Sequence, residues 1–206
     1  MANVRVWDPL VRVFHWGLVA AFALAWITGD ESQGLHNWAG YAAAALIAVR
    51  IAWGFIGTPY ARFTQFVHGL GRVGGYLGDV LHRREARYIG HNPAGGLMIL
   101  LILVTMSGTA FTGWLMVDPA RQAMLPMMPE FVAAAYADED GVEGVIRSGG
   151  GGDAIEEVHE VLANVMLFLV VLHLAGVLLA SIRHRENLAR AMVTGDKRAP
   201  GPGDIA

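Results

Sequence analysis

Residues 159–182 read HEVLANVMLFLVVLHLAGVLLASI, and this stretch decides the class of the protein. From Val161 to Ile182 it contains no charged side chain. At a rise of about 1.5 Å per residue, a helix of this length crosses the hydrocarbon core of a bilayer, which is roughly 30 Å thick. The stretch therefore predicts a transmembrane helix, and the two histidines that it carries call for an explanation beyond packing.

Three further stretches are uncharged over a comparable length. They are Val13 to Gly29, Ser32 to Ala61 with Arg50 as the sole charge, and Tyr88 to Val117. The four stretches predict transmembrane helices at about 10–29, 36–57, 93–116 and 157–182. The expected fold is an all-α integral membrane four-helix bundle, which forms a single domain over residues 1–206.

The composition agrees with a membrane protein and excludes several other classes. Hydrophobic residues make up 54% of the chain and charged residues 16%, with a mean hydropathy of +0.43, whereas a disordered chain needs the opposite balance. The absence of cysteine excludes a disulfide-stabilised domain, thiolate zinc and iron–sulfur sites, and the covalent attachment of a c-type haem. A net charge of −3 does not favour nucleic acid as a partner.

The distribution of arginine and lysine predicts how the helices are oriented. Twelve of these residues lie in the N-terminal segment, the second connection and the C-terminal tail, which the positive-inside rule places in the cytoplasm. The first connection carries Asp30 and Glu31 without a base, and the third carries nine acidic residues between Asp118 and Glu157 against two arginines. We therefore expect a multi-pass protein of the bacterial inner membrane with both termini cytoplasmic. A cleaved signal peptide in place of the first helix is disfavoured, because histidine and tryptophan interrupt its apolar run.

Two connections are long enough to have structure of their own. Apolar residues recur at spacings of three and four from Phe63 to Val80, which predicts an interfacial amphipathic helix over about 63–84. The periplasmic connection, over about 118–156, has an acidic middle formed by Asp138, Glu139, Asp140 and Glu143. We expect this second segment to dock a redox partner or to act as a lid.

Five of the eight histidines lie in or at the ends of predicted helices: His15, His36, His91, His159 and His173. An isolated histidine in such a place is commonly an interfacial or hydrogen-bonded core residue. The spacing of His159 and His173 points elsewhere, because 14 residues at 100° each fall about 40° short of four turns. Both side chains therefore share one face of a helix, at depths about 21 Å apart.

The other two histidines match these depths. His15 lies near the cytoplasmic end of the first helix and can meet His173, while His36 and His159 both begin helices on the periplasmic side. Two bis-histidine pairs, one near each membrane face, are what two stacked, non-covalent b haems require in a bundle core. A zinc site would instead need four ligands at one point.

At these positions the chain resembles the bacterial di-haem cytochromes b, the family that includes cytochrome b561 and the b subunits of nickel–iron hydrogenases and formate dehydrogenases. The resemblance rests on Val6–Trp16 (VWDPLVRVFHW), Leu35-His36 with Gly40-Tyr41, Arg50–Gly54 (RIAWG), Gly90–Pro93 (GHNP), and the pair His159 and His173. It covers nearly the whole chain and implies the same two histidine pairs as iron ligands. The first connection is shorter and the third longer than in the hydrogenase subunits, which leaves the identity of the partner open.

Arg50 is a cation inside a predicted transmembrane helix, which costs a few kcal/mol and usually has a functional partner. It follows His36 by 14 residues and so lies on the same helix face, one haem level deeper. We expect it to contact a propionate of the cytoplasmic haem, with snorkelling to the interface as the alternative. Arg12 and His91 lie near the same end, and together they predict a propionate cradle and a quinone pocket in which the Gly95–Gly96 pair admits a ring.

The sequence therefore predicts an electron carrier that uses two haems to connect the quinone pool with a redox partner. The haems supply the redox chemistry, so no catalytic side chain is assigned. A periplasmic c-type cytochrome fits the acidic connection, and another membrane redox subunit is the alternative partner. A superoxide-to-quinone oxidoreductase stays open within this class, although an acidic rim disfavours an anionic substrate. From a different class, a haem-free, histidine-lined metal transporter or sensor is the alternative.

Overall fold

The chain is described by a computed structural model, which covers residues 3–122 and 151–205. In chain order its elements are β1 (Asn3–Arg5), α1 (Pro9–Thr28), α2 (Gln33–Ile56), a 3-10 turn (Pro59–Ala61), α3 (Phe63–Phe66), α4 (Leu70–Leu81), α5 (Pro93–Met116), α6 (Pro119–Gln122), α7 (Gly151–Arg183), α8 (Leu188–Thr194) and β2 (Asp196–Arg198). The helices α1, α2, α5 and α7 are long and apolar enough to cross a membrane. The predicted four-helix membrane bundle is thereby confirmed.

Two proline-containing caps explain where α1 and α5 begin. The Asp8 carboxylate accepts a hydrogen bond from the Val11 amide at 2.9 Å, and the Asn92 side chain accepts one from the Gly95 amide at 2.7 Å. A proline follows each cap, at the first helical position, where its missing N–H costs nothing. The starts of these two spans, α1 and α5, are thus fixed by their own local sequence.

Asp8 also ties the start of α1 to the end of α2. Its second carboxylate oxygen accepts hydrogen bonds from Trp53 Nε1 at 3.1 Å and from Thr58 Oγ1 at 2.5 Å. Partial burial alone would raise the pKa of Asp8, but these hydrogen bonds and those from the first turn of α1 lower it below its usual value. Asp8 is therefore a carboxylate at neutral pH and holds two helix ends together.

Each of the four spans packs mainly against the span that precedes or follows it in the sequence. α1 lies along α2, α2 along α5 and α5 along α7, whereas neither α1 nor α2 packs extensively against α7. An apolar cluster from all four spans fills the middle of the bundle; its members are Leu18, Ala21, Ala43, Ile47, Met106 and Met166. This cluster lies between the two depths at which the histidines occur. A cavity between the spans lies at the depth of His36 and His159.

The second connection is helical, but it is not the single helix that the sequence predicts over 63–84. The helix breaks between α3 and α4, and α4 ends at Leu81. Phe66 is fully buried, and its carbonyl oxygen lies so close to Gly96 that no side chain fits there. The packing of α3 on the start of α5 therefore ends the first helix, and His68 Nδ1 bonds to the same carbonyl at 2.8 Å.

The two ends of the described chain meet on one side of the bundle, where β1 pairs antiparallel with β2. The buried Lys197 donates a hydrogen bond to the carbonyl of Ile89 at 3.0 Å, and the Ile89 amide donates to the carbonyl of Ile205 at 2.8 Å. We call residues 196–205 the C-terminal clasp and the side where they lie the terminal side.

Arg87 anchors the C-terminal clasp through a buried ion-pair network. Its guanidinium donates to both carboxylate oxygens of Glu186, at 3.1 and 2.7 Å, and to Asp204 at 2.6 Å. Burial would raise the pKa of Glu186, but the bonds from Arg87 and the nearby charge of Lys197 lower it. The Gly201 amide and Arg87 likewise lower the pKa of Asp204. The network is therefore fully ionised at neutral pH.

Candidate functional site

His36 and His159 face each other on the side of the bundle opposite the terminal side. Their ring centroids are 6.0 Å apart, with the planes nearly perpendicular. An iron between two imidazoles lies about 2 Å from each ligating nitrogen, and each nitrogen lies about 1 Å from its ring centre, so such a pair needs about 6 Å. The separation of the two rings is thus the one that a metal held between them requires.

Both rings are oriented by hydrogen bonds at Nδ1. His36 Nδ1 bonds to the carbonyl oxygen of Ala25 at 2.9 Å, and His159 Nδ1 bonds to Thr112 Oγ1 at 2.9 Å. A carbonyl can only accept, and the Thr112 hydroxyl accepts from His159 when its one proton is donated to the helix carbonyl of Gly108 at 3.0 Å. Each Nδ1 therefore carries the proton, and each Nε2 keeps the lone pair that binds a metal.

A cavity next to these histidines has walls suited to a flat apolar ring. Residues from all four spans line it, including Phe22, Trp26, Gly40, Tyr41, Gly113 and Trp114. Gly113 leaves room for the His159 ring, because a Cβ there would lie 3.0 Å from Cε1 of His159, closer than ordinary van der Waals contact. The residues around the pair therefore fit a haem, and neither Gly113 nor Thr112 was identified from the sequence.

His15 and His173 form the second predicted pair, nearer the terminal side. His15 lies on α1 and His173 on α7. Nδ1 of His15 is buried without a hydrogen-bond partner. The helices that carry them, α1 and α7, do not pack extensively against each other.

Four buried side-chain nitrogens lack a hydrogen-bond partner among the described residues, and all four belong to residues that the sequence singles out. They are Arg12 Nε, His15 Nδ1, Arg50 Nη1 and His91 Nδ1. A buried donor without an acceptor costs about 1–3 kcal/mol, so such atoms normally mark a group that binds there. Two arginines and two histidines near one haem level fit a ligand that brings both a metal and carboxylates.

Arg50 is held inside the protein and does not extend into water. It is 3% exposed, and its guanidinium carbon lies over the rings of Phe14, Phe63 and Phe66 at 5.7, 5.4 and 5.7 Å. Three aromatic faces stabilise the cation but offer no hydrogen-bond acceptor to it. The guanidinium is therefore available to a carboxylate.

His91 lies beneath the C-terminal clasp, between two aromatic rings. Its ring centroid is 4.6 Å from that of Trp7 and 4.9 Å from that of Phe66. Burial, with the charges of Arg50 and Lys197, lowers the pKa of His91 to about 3, so the ring is neutral. The expectation that Gly96 admits a quinone ring here is wrong, because the backbone of Phe66 already occupies that face.

One further expectation concerns the third connection. The acidic middle of the third connection, residues 138–143, lies outside the described residues. Within residues 3–122 and 151–205, no three histidine or acidic side chains converge in a way that could hold a metal by themselves. His36 and His159 meet as a pair, which suits a metal that brings its other ligands with it.

Comparison with known proteins agrees with this picture. A family model described as prokaryotic cytochrome b561 matches residues 6–195, from just before α1 to just after α8. A probable Ni/Fe-hydrogenase B-type cytochrome subunit of Rhizobium leguminosarum bv. viciae is 23% identical over 227 residues, which cover 95% of this chain and 89% of the relative. No solved structure matches the chain.

Proposed function

Because the chain belongs to the prokaryotic cytochrome b561 family of membrane haem b proteins, we propose that it carries electrons through two b haems, each held by two histidines. The electrons pass between the quinone pool and a redox partner. The setting is the bacterial inner membrane, with the terminal side in the cytoplasm, as the distribution of arginine and lysine indicates. The four spans then form one di-haem domain.

The observation that carries this proposal is the arrangement of His36 and His159. Their 6.0 Å separation fits one metal held between the rings, and their Nδ1 hydrogen bonds leave both Nε2 atoms free to bind it. When bound, the haem accepts and releases one electron at a time. Ala25 and Thr112 hold the tautomers and thereby raise the basicity of the ligands. Gly113 keeps the space that the His159 ring needs.

The second haem is assigned to His15 and His173. Arg50 and Arg12 would bind its propionates, because each has a buried nitrogen that lacks an acceptor. Nδ1 of His91 is also buried without a partner and can donate a hydrogen bond to the same carboxylates. The central apolar cluster separates this haem from the first and keeps water away from the path between them.

Haem content tests the proposal. The wild-type protein should bind two haems per chain, and His36→Ala or His159→Ala should remove one of them. His15→Ala or His173→Ala should remove the other, with a different reduced-minus-oxidised spectrum for the haem that is left. His82→Ala is the matched control, since His82 is exposed beyond the end of α4. A wild-type content near one haem per chain, or an equal loss from the control, would overturn the assignment.

For the partner we propose a basic, soluble c-type cytochrome that docks on the acidic third connection. Nine acidic residues against two arginines support it, in a segment that adjoins the His36 and His159 end of the bundle. Electrostatic steering is lost as the Debye length falls to about 10 Å near 0.1 M salt, so electron transfer should slow markedly with salt. Neutralising Asp138, Glu139, Asp140 and Glu143 together should flatten that dependence. Rates that do not respond to salt would favour an integral membrane partner.

A further inference from the structure

A groove runs along the outside of the bundle at the terminal end of α7, where α8 folds back towards it. Its wall is apolar, and it ends in polar side chains; the lining includes Leu174, Leu178, Ile182, Ser181, Arg185 and Asn187. The three apolar residues of the wall are 60%, 62% and 66% exposed, so no other part of the described chain covers them. In a membrane span, such a wall faces lipid acyl chains.

Arg185 closes the groove and has an unusual backbone. Its φ is 50°, in the left-handed region that side chains other than glycine rarely adopt and that costs about 1–3 kcal/mol. The neighbouring residue explains the turn, because Glu186 is held inward by Arg87 at 2.7 Å and by Lys197 at 3.5 Å. The C-terminal clasp therefore fixes Arg185 at the mouth of the groove.

The charge at this end of the groove is positive. Glu186 also lines the groove, but Arg87 and Lys197 already neutralise its carboxylate. Arg185 has no acidic partner among the described residues, and α7 ends two residues before it, at Arg183. A cation at the end of a span lies at the level of the lipid headgroups.

We propose that this groove binds one anionic phospholipid from the leaflet on the terminal side. An acyl chain lies along Leu174, Leu178 and Ile182, and the phosphate pairs with Arg185. The apolar wall fits any lipid, so the cation supplies the selectivity for an anionic headgroup. The site needs only a membrane-embedded bundle, and it is independent of the haem assignments.

Native mass spectrometry of the purified holoprotein tests the proposal. The protein is mixed with phosphatidylglycerol and phosphatidylcholine of identical acyl chains, and the bound lipids are counted. We expect one retained phosphatidylglycerol with about a fivefold preference, the effect of roughly 1 kcal/mol per basic residue near an anionic surface. Arg185→Gln should abolish that preference. Arg84→Gln, at an exposed arginine of the same side, should keep it. The proposal would be overturned if Arg185→Gln and Arg84→Gln showed the same preference for phosphatidylglycerol over phosphatidylcholine.

A second variant locates the bound lipid. The chain has no cysteine, so Ala189→Cys introduces one thiol on the groove wall, and a bulky maleimide attached there should displace the lipid. The haem spectrum of the labelled protein should stay that of the wild type, which separates this outcome from misfolding. Retention of the lipid after labelling would overturn the proposal. The proposal would also be overturned if labelling displaced a bound quinone or broke a dimer instead of displacing the lipid, because the groove would then bind the quinone or the second copy.

Discussion

Replacing Arg87 by glutamine should open the C-terminal clasp while the membrane bundle stays folded. The Arg87 side chain is 4% exposed, and its partners Glu186 and Asp204 are 8% and 11% exposed. Removing one member of a buried ion pair costs about 3–5 kcal/mol, because the remaining charges stay buried without compensation. We expect the lower end of that range, since Lys197 stays 3.5 Å from Glu186 and offsets part of the loss.

A matched control lies in the same small sheet. Arg5 pairs with Asp196 at 2.7 Å, but their side chains are 61% and 35% exposed. An ion pair in water contributes at most about 1 kcal/mol, so Arg5→Gln should raise the open population of the clasp by no more than about fivefold. A loss of about 3 kcal/mol in Arg87→Gln corresponds to more than roughly a hundredfold.

Limited proteolysis measures this difference directly. Trypsin can cut after Lys197 and Arg198 only when the clasp is open, and under mild conditions the rate follows the open population. The released peptide that begins at Ala199 is quantified by mass spectrometry, and the haem spectrum reports the state of the bundle. Similar cleavage rates for Arg87→Gln and Arg5→Gln would refute the reasoning, because burial would then make no difference to the strength of the pair.

Four further outcomes follow from the same contacts. In a redox titration, Arg50→Gln should lower the midpoint potential of one haem by some tens of millivolts, about 1 kcal/mol, because a nearby cation favours the reduced state. Arg72→Gln, which changes an exposed arginine, should leave the potentials of both haems unchanged. Thr112→Val should raise the potential of the other haem, because His159 Nδ1 loses its acceptor and the ligand becomes less basic, whereas Ser107→Ala in the same helix should not. Gly113→Ala should lower the haem content, since the added methyl group would lie 3.0 Å from His159. Gly176→Ala is the control and should leave the haem content unchanged, because a methyl group there meets nothing within 4 Å. Equal haem contents in the two variants would contradict the role of Gly113. The folded pKa values of Glu186 and Asp204 lie below their ordinary values of 4.5 and 3.8, so the stabilisation that these groups give to the clasp is complete above about pH 4.5. It is lost as the pH falls through the folded pKa values. Hydrogen exchange in the clasp, corrected for intrinsic rates, should therefore accelerate in that acidic range and not between about pH 6 and 8.

The membrane helices were predictable because their signals are local. An uncharged run of sufficient length specifies a span by itself, and the Asp8-Pro9 and Asn92-Pro93 caps start two of the helices without help from the rest of the chain. The 14-residue spacing of His159 and His173 belongs to one helix, so its consequence needs no tertiary knowledge.

The features that escaped prediction depend on contacts between distant residues. Strand β2 reads Asp196-Lys197-Arg198, which has no apolar alternation, and it forms only because β1 lies beside it. The role of Thr112 depends on how α5 is rotated against α7, which sequence periodicity does not give. The break after Phe66 likewise arises from packing against Gly96, since the apolar spacing continues through it.

Because β1 pairs with β2, the small sheet can form only after the last span has been synthesised. Strand β1 leaves the ribosome before any membrane span, and its partner leaves only after all four spans have been synthesised. The two strands can meet only if an even number of spans has crossed the bilayer. A chain in which one span failed to insert would hold them in separate compartments, with the carbonyl of Ile89 lacking Lys197. Closure of the sheet therefore acts as a topological checkpoint: it excludes chains in which one span, or three, failed to cross.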